Sequence, residues 1–296
     1  MAATILKKTA GALADSPMFR RGKFVFSENS RNWNLPLSKL DKLLTGGWLI
    51  LSDYSKGVFP PTFTNQQEAY LAEKAYRFSL PGVSQQDILN YAMTKPFLYG
   101  KAGRGYLQDF NKITECIQRA GLRPSAKLLE LGCGSGWTAE FLAAMGFDVT
   151  GTTLAEEDIQ DANRRIESLV VKGLKPTLKF TASPMESVHT VVGRNNFDAV
   201  FVYEALHHAF DWRQTLASAH ACLREDGWLI ICKEPNVLHT CVSYRVAKLS
   251  NTHEIGFGRR DLLAGLRTSG FRNIVSMGAK LHCWFRPHWI LAQKKK

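Results

Sequence analysis

The chain has 296 residues, 45% of them hydrophobic and 22% charged, with a formal net charge of +12. That is enough for one large α/β domain with an added segment, or for two domains, and the composition excludes global disorder. Apolar runs such as Gly227–Cys232 fall far short of the ~18 residues a spanning helix needs, so no transmembrane segment is expected. The six cysteines form no Cys-x-x-Cys pair, which argues against a zinc cluster, a thioredoxin-type motif or a small disulfide scaffold. These features describe a soluble, cytoplasmic protein of a reducing compartment.

Residues 1–124 carry a net +8 and residues 125–296 a net +4. The balance permits an anionic partner, although a basic enzyme with no polyanion partner accounts for it equally well. Met1–Lys23 holds Lys7, Lys8, Arg20, Arg21 and Lys23 against Asp15 alone. Lysines interrupt its short apolar stretch, so a secretory core is missing and a basic tail is favoured over a transit peptide. The first sixty residues read as irregular, with Pro, Gly, Ser and Asn scattered around Trp48–Leu51. From Asn65 the pattern turns helical. Ser84 and Asp87 resemble a capping box before Ile88, and Pro96 ends that helix. A stronger helix is predicted from Tyr106 to Ala120, with Phe110, Ile113 and Ile117 at helical steps and Gly121 closing it. Residues 1–124 are therefore read as an N-terminal extension or cap, irregular and then mainly helical.

Beyond Pro124, short apolar runs alternate with helical stretches. Strands are predicted at Lys127–Leu131, Asp148–Leu154, Leu178–Thr181, Phe197–Tyr203, Gly227–Lys233, Phe271–Gly278 and His288–Ala292. Helices are predicted near 136–145, 156–172, 212–223 and 259–269. Such alternation produces a parallel sheet covered on both faces. The last two strands have no helix between them and must pair antiparallel.

The most informative stretch is Leu128-Leu-Glu-Leu-Gly-Cys-Gly-Ser-Gly-Trp-Thr138, a strand that runs through three alternating glycines into a helix. Glycines allow a sharp turn and close approach of a ligand to the backbone. A nicotinamide fingerprint would have glycine where Trp137 stands and an acid at the end of the second strand, where Thr152-Thr153 stands. The acid here is Glu130, two positions before the first glycine, where it suits a cationic ligand and would repel a pyrophosphate.

Glu130-x-Gly132-x-Gly134-x-Gly136 resembles the first motif of the class I S-adenosylmethionine-dependent methyltransferases. The resemblance continues through Asn196–His208, Leu223–Pro235 and Leu266–Phe271 and covers about 125–293. It implies a Rossmann-like sheet of seven strands, mostly parallel with an antiparallel last strand, in a domain spanning 125–296, and S-adenosyl-L-methionine as cofactor. Gly132, Cys133, Gly134 and Gly136 would pass beneath the methionine portion, and Glu130 would hold its ammonium. Thr153, followed by Leu154, stands where the family usually has an acid for the ribose hydroxyls, with Asp158 as the compensating group. Met185 and Glu186 would lie at the adenine, and Tyr203 just past the fourth strand. Arg104 is read either as a clamp on an anion or as a solvated loop residue.

His207 and His208 sit at the mouth of the fourth strand and are the candidate catalytic bases; a purely structural role for either stays open. A metal site from His207, His208, Asp211, Glu234 and His239 is set aside for want of ligand spacing. The expected activity is methyl transfer to a small-molecule acceptor, a hydroxyl of a natural product or saccharide being favoured. A carbon or nitrogen acceptor, a lipid, an RNA substrate and an inactive cofactor-binding homologue are the alternatives. Nucleic acid is disfavoured because Tyr203-Glu-Ala-Leu206 lacks the [Asp/Asn]-Pro-Pro-aromatic motif of base amino-methylators.

Overall fold

The computed structural model describes residues 2–59, 63–254, 256–277 and 286–295. Two compact units are present, Met1–Gln85 with Pro235–Gly256, and Gln86–Glu234 with Phe257–Lys296. In chain order the elements are α1 (Ala2–Ala14), α2 (Arg20–Asn29), α3 (Lys39–Lys56), α4 (Gln66–Ser79), α5 (Gln85–Thr94), α6 (Lys101–Arg119), β1 (Lys127–Leu131), α7 (Trp137–Ala144), β2 (Asp148–Thr153), α8 (Glu156–Val171) and β3 (Leu178–Ala182). They continue with α9 (Val188–Val192), β4 (Phe197–Tyr203), α10 (Trp212–Cys222), β5 (Leu223–Glu234), α11 (Val237–Ser250), α12 (Arg259–Thr268), β6 (Phe271–Ser276) and β7 (His288–Lys294).

The first unit corrects the expectation of an irregular start, because most of the first sixty residues are helical. α3 opens on a reciprocal cap in which the Ser38 hydroxyl accepts from the Asp41 amide and Asp41 accepts from the Ser38 amide. It closes at Gly57 in the left-handed region. The glycines that made the segment look broken are packing devices. A Cβ on Gly22 would lie 2.4 Å from the Leu44 carbonyl oxygen, and one on Gly46 only 1.7 Å from that of Cys241. α2 and α11 therefore approach α3 at backbone distance. Leu49, Tyr244 and Ala247 form the small core of this unit. Tyr244 donates to Asp53 at 2.7 Å, Lys248 pairs with Asp53 at 3.0 Å, and Arg245 reaches Asn29 at 2.5 Å.

This division differs from the boundary expected at residue 124. α6 buries Ile113, Cys116 and Ile117 in the same cluster as Leu128 and Phe201 of the sheet, whereas α11, inserted after β5, packs with the N-terminal helices. α6 also starts earlier than Tyr106, because Gly103 permits a close approach to the Leu98 carbonyl.

The second unit holds the expected sheet, in the order β3-β2-β1-β4-β5-β7-β6, with β7 alone antiparallel to its neighbours. Gly278, expected to end the sixth strand, lies outside the described residues. Period-two alternation sorts the strand residues between two cores. Leu129, Leu131, Val200, Val202, Leu229 and Ile231 meet α10 and α12 on one face. Leu128, Ala199, Phe201, Tyr203, Ile230 and Cys232 meet α6 and α7 on the other. The carboxyl ends of β1, β2, β3 and β4 consequently share one edge of the sheet, the edge at which open α/β sheets bind ligands.

Candidate active site at the carboxyl edge of the sheet

β1 delivers the chain into a loop whose three glycines all have positive φ, +65° at Gly132, +50° at Gly134 and +72° at Gly136. The Cys133 amide donates to the Thr152 carbonyl at 2.8 Å and the Gly136 amide to that of Cys133 at 2.9 Å, which fixes the loop against β2. The glycines serve different ends. A Cβ on Gly132 would meet the Ala205 methyl at 2.5 Å and one on Gly136 the Phe180 ring at 2.5 Å, whereas one on Gly134 would meet nothing within 4 Å. Gly132 and Gly136 permit packing, and Gly134 turns bare backbone to open space. Cys133 is buried with its thiol pushed well above its ordinary range by burial, which suits a small filler and not a nucleophile.

Glu130 is almost completely buried in β1. One carboxylate oxygen accepts from Thr138 at the start of α7, and the other, Oε2, is buried with no hydrogen-bond partner among the described residues. Burial raises its pKa to about 8, against the opposing hydrogen bonds of Thr138 and the Ala139 amide. A buried, half-satisfied carboxyl next to an open backbone cradle suits a cationic ligand group. At the end of β2 the Thr153 hydroxyl lies 3.4 Å from an Asp158 carboxylate oxygen, so the two groups expected at the ribose stand together, with Leu154 half-buried beside them. Met185 is buried with its sulfur 3.6 Å from the position of a Cβ on Gly132. Glu186 is buried as well and accepts the Asp211 amide at 3.1 Å, which engages a carboxylate expected at the adenine edge.

Beyond β4, Leu206–His208 form a 3-10 turn anchored on the fully buried Glu234 at the end of β5. Glu234 accepts the amides of Ala205 and Leu206 at 2.8 and 2.9 Å and that of His207 at 3.2 Å. It also meets the His207 ring nitrogen Nδ1 at 2.8 Å. Burial opposes its ionisation, yet the charge and hydrogen bond of His207 and the two backbone donors hold its pKa below the ordinary value. A donor at Nδ1 facing a carboxylate leaves Nε2 as the basic nitrogen of the ring. The His208 ring leans on that of His207, with centroids 4.3 Å apart. His239 is carried by α11 in the other unit. No group of three or more His, Cys, Asp or Glu among the described residues is arranged to hold a metal ion.

Comparison with known proteins bears on the same stretch. Residues 129–231 match the model of a family described as a methyltransferase domain. That stretch is similar to methyltransferase domains, and the match covers less than half of the chain. Over 116 residues it is 33% identical to a ubiquinone biosynthesis O-methyltransferase of Bordetella avium, a match covering 39% of this chain and 46% of that protein. The chain thus spans less than half the length of the curated relatives it matches first. Among solved structures, the magnesium protoporphyrin IX methyltransferase of Synechocystis superposes with a TM-score of 0.56 at 15% identity, covering 77% of this chain and all of that one. Phosphoethanolamine N-methyltransferase 2 of Haemonchus contortus gives 0.55 at 14% identity, with 73% and 61% covered. At such identities the likeness is one of fold.

The candidate site includes residues that sequence reasoning missed. Arg165 of α8 and Glu140 of α7 form a buried ion pair at 2.5 Å, and Arg165 also donates to the Ala92 carbonyl at 2.5 Å. Ser135 of the glycine loop lies 3.4 Å from that same carbonyl, so the end of α5 is clamped over the loop. Lys95, just beyond, places its ammonium 4.9 Å from the Tyr91 ring centre and 5.1 Å from that of Tyr106. Burial lowers its pKa to about 8, partly offset by Glu204 and Asp158. Arg104, the cation considered from sequence, is exposed.

Tyr203 stacks edge-on against Trp137 and donates to Asp109 of α6 at 2.8 Å, so its hydroxyl is engaged with that helix. Lys233 bridges Asp109 and Glu204 at 2.7 and 3.1 Å. Glu204 and Lys233, at the ends of β4 and β5, both have left-handed backbone, with φ of +47° and +57°. Non-glycine residues persist there only where their surroundings enforce it, as functional sites commonly do. A basic residue before a proline and a glutamate after a strand carry no distinctive sequence pattern, which is why these groups emerge only from the three-dimensional arrangement.

Proposed function

We propose that the protein transfers the methyl group of S-adenosyl-L-methionine to a hydroxyl of a small-molecule acceptor. The observation that carries methyl transfer is the juxtaposition of the open cradle at Gly134 with the unsatisfied buried oxygen of Glu130. When bound, the cofactor supplies an electrophilic methyl group on a sulfonium centre. Gly134 and its neighbours would carry the methionine portion, Glu130 its ammonium, Thr153 with Asp158 the ribose hydroxyls, and Met185 the adenine.

The hydroxyl acceptor is supported by His207. Glu234 orients its ring through Nδ1, and the basic Nε2 can then take the proton that an oxygen acceptor must lose. The Bordetella avium relative, an O-methyltransferase of ubiquinone biosynthesis, agrees with an oxygen acceptor. Lys95 brings positive charge to the same edge, consistent with an acceptor that carries or develops negative charge, whereas Lys233 is matched by Asp109 and Glu204.

The test is titration calorimetry with S-adenosylmethionine, followed by transfer of its labelled methyl to a panel of phenols, alcohols and amines, with the modified atom located by mass spectrometry. Micromolar cofactor binding and label on oxygen are expected. No cofactor binding would overturn methyl transfer; label on nitrogen or carbon would overturn the acceptor assignment alone.

A further inference from the structure

We propose that the outward faces of α1 and α2, with the turn between them, form a docking surface for an anionic lipid bilayer. The proposal is independent of the methyl-transfer reading.

α1 carries more apolar surface than its packing stripe uses. Ala10 and Ala14 are buried along the stripe facing α3, where a Cβ on Gly11 would lie 3.4 Å from the Ser55 Cβ. At helical spacing Ile5 falls on the opposite side while Leu6 and Leu13 border the buried stripe one turn from Ala10, and the three are 59%, 57% and 43% exposed. Side chains of this size left so exposed on one short helix are not accounted for by the packing of Ala10 and Ala14. α2 repeats the arrangement. Gly22, Val25 and Asn29 turn inward, while Arg20, Lys23 and Phe24 point out, with Phe24 66% exposed. Met18, in the 3-10 turn joining the two helices, is likewise 66% exposed.

Charge decides the partner. Residues 1–29 hold five cations, Lys7, Lys8, Arg20, Arg21 and Lys23, against two acids, Asp15 and Glu28. Arg21 is engaged by Asp41 at 2.5 Å and Lys7 reaches Gly57 at the end of α3, while Lys8, Arg20 and Lys23 stand exposed among the apolar side chains. Aliphatic and aromatic side chains bordered by lysine and arginine suit the boundary between acyl chains and anionic headgroups. No helix among the described residues is long and apolar enough to cross a membrane, so the contact would be one of lying on the surface.

The experiment is cosedimentation of the full chain with unilamellar vesicles of equimolar phosphatidylcholine and phosphatidylglycerol, and with vesicles of phosphatidylcholine alone, at low and high salt. Binding to the anionic vesicles is expected, weakened about tenfold or more by high salt, by omission of phosphatidylglycerol, or by the pair Leu6→Glu and Leu13→Glu. A second variant, Lys7→Gln, Lys8→Gln, Arg20→Gln and Lys23→Gln, should lose binding to the same extent. Both variants change exposed positions and should keep the wild-type circular dichroism and melting temperature. Full-length protein that stays in the supernatant, or variants that sediment like wild type, would overturn the proposal. So would light scattering that shows a dimer dissociated by the leucine changes, because a second copy would then cover the face.

Discussion

Glycines two residues apart in one loop are held for different reasons, and single substitutions separate them. Gly134→Val intrudes on open space, so it should lower S-adenosylmethionine affinity by about 100-fold or more while costing only the ~1–3 kcal/mol of a side chain in left-handed backbone. Gly136→Val drives into Phe180 and should appear chiefly as lost thermal stability. Glu130 links the site to pH. Its carboxyl, raised from 4.5 to about 8 by burial, binds a proton more tightly in the folded chain. The stability this contributes is complete below pH 4.5 and is lost as pH rises through 8. Glu130→Gln should therefore gain on wild type between these limits in urea titrations. A cationic ligand favours the ionised form, so wild type should release a proton on binding S-adenosylmethionine at neutral pH. The variant should not, a difference read by calorimetry in buffers of different ionisation enthalpy. His207→Gln should lower kcat ~10²–10⁴-fold with cofactor affinity intact; parallel losses in both would assign the ring to holding the turn on Glu234.

At the scale of elements, β1 to β7 and the helices α7, α8, α10 and α12 could be read from the chain because their signals are local. Apolar runs bounded by turns mark strands, and Glu156, Glu157 and Asp158 mark the positive end of α8. α2 and α3 were obscured because Gly22 and Gly46 read as breakers, yet each lies where two helix backbones touch. Their glycine is a requirement of tertiary contact, and only the partner strand of chain reveals it. Gly46→Val should consequently prevent α11 from seating on α3 and leave little folded protein, measurable as expression in the insoluble fraction. The glycine loop was readable for the opposite reason, since motif, strand and helix are contiguous there. The clamp of Arg165 on Glu140 and Ala92 joins residues 25 and 73 positions apart and leaves no local trace. Removing one partner of this buried pair, as in Glu140→Ala, should cost ~3–5 kcal/mol by chemical denaturation.

For the molecule as a whole, the unexpected feature is a unit made from two distant stretches of chain, Met1–Gln85 and Pro235–Gly256. Deleting residues 1–85 would strip Tyr244, Lys248 and Arg245 of Asp53 and Asn29 and expose a fully buried tyrosine. The shortened chain should aggregate on size-exclusion chromatography, and replacing Pro235–Gly256 with a short Gly/Ser linker in the same background should restore a soluble species. The arrangement also sets a timetable on the ribosome. The first four helices emerge long before α11 is translated, and at ~5–20 residues per second the wait is on the order of ten to thirty seconds. Throughout that interval the nascent helices present the surface meant for Tyr244 unfilled, which makes this stretch of synthesis the period when a holding chaperone would matter most.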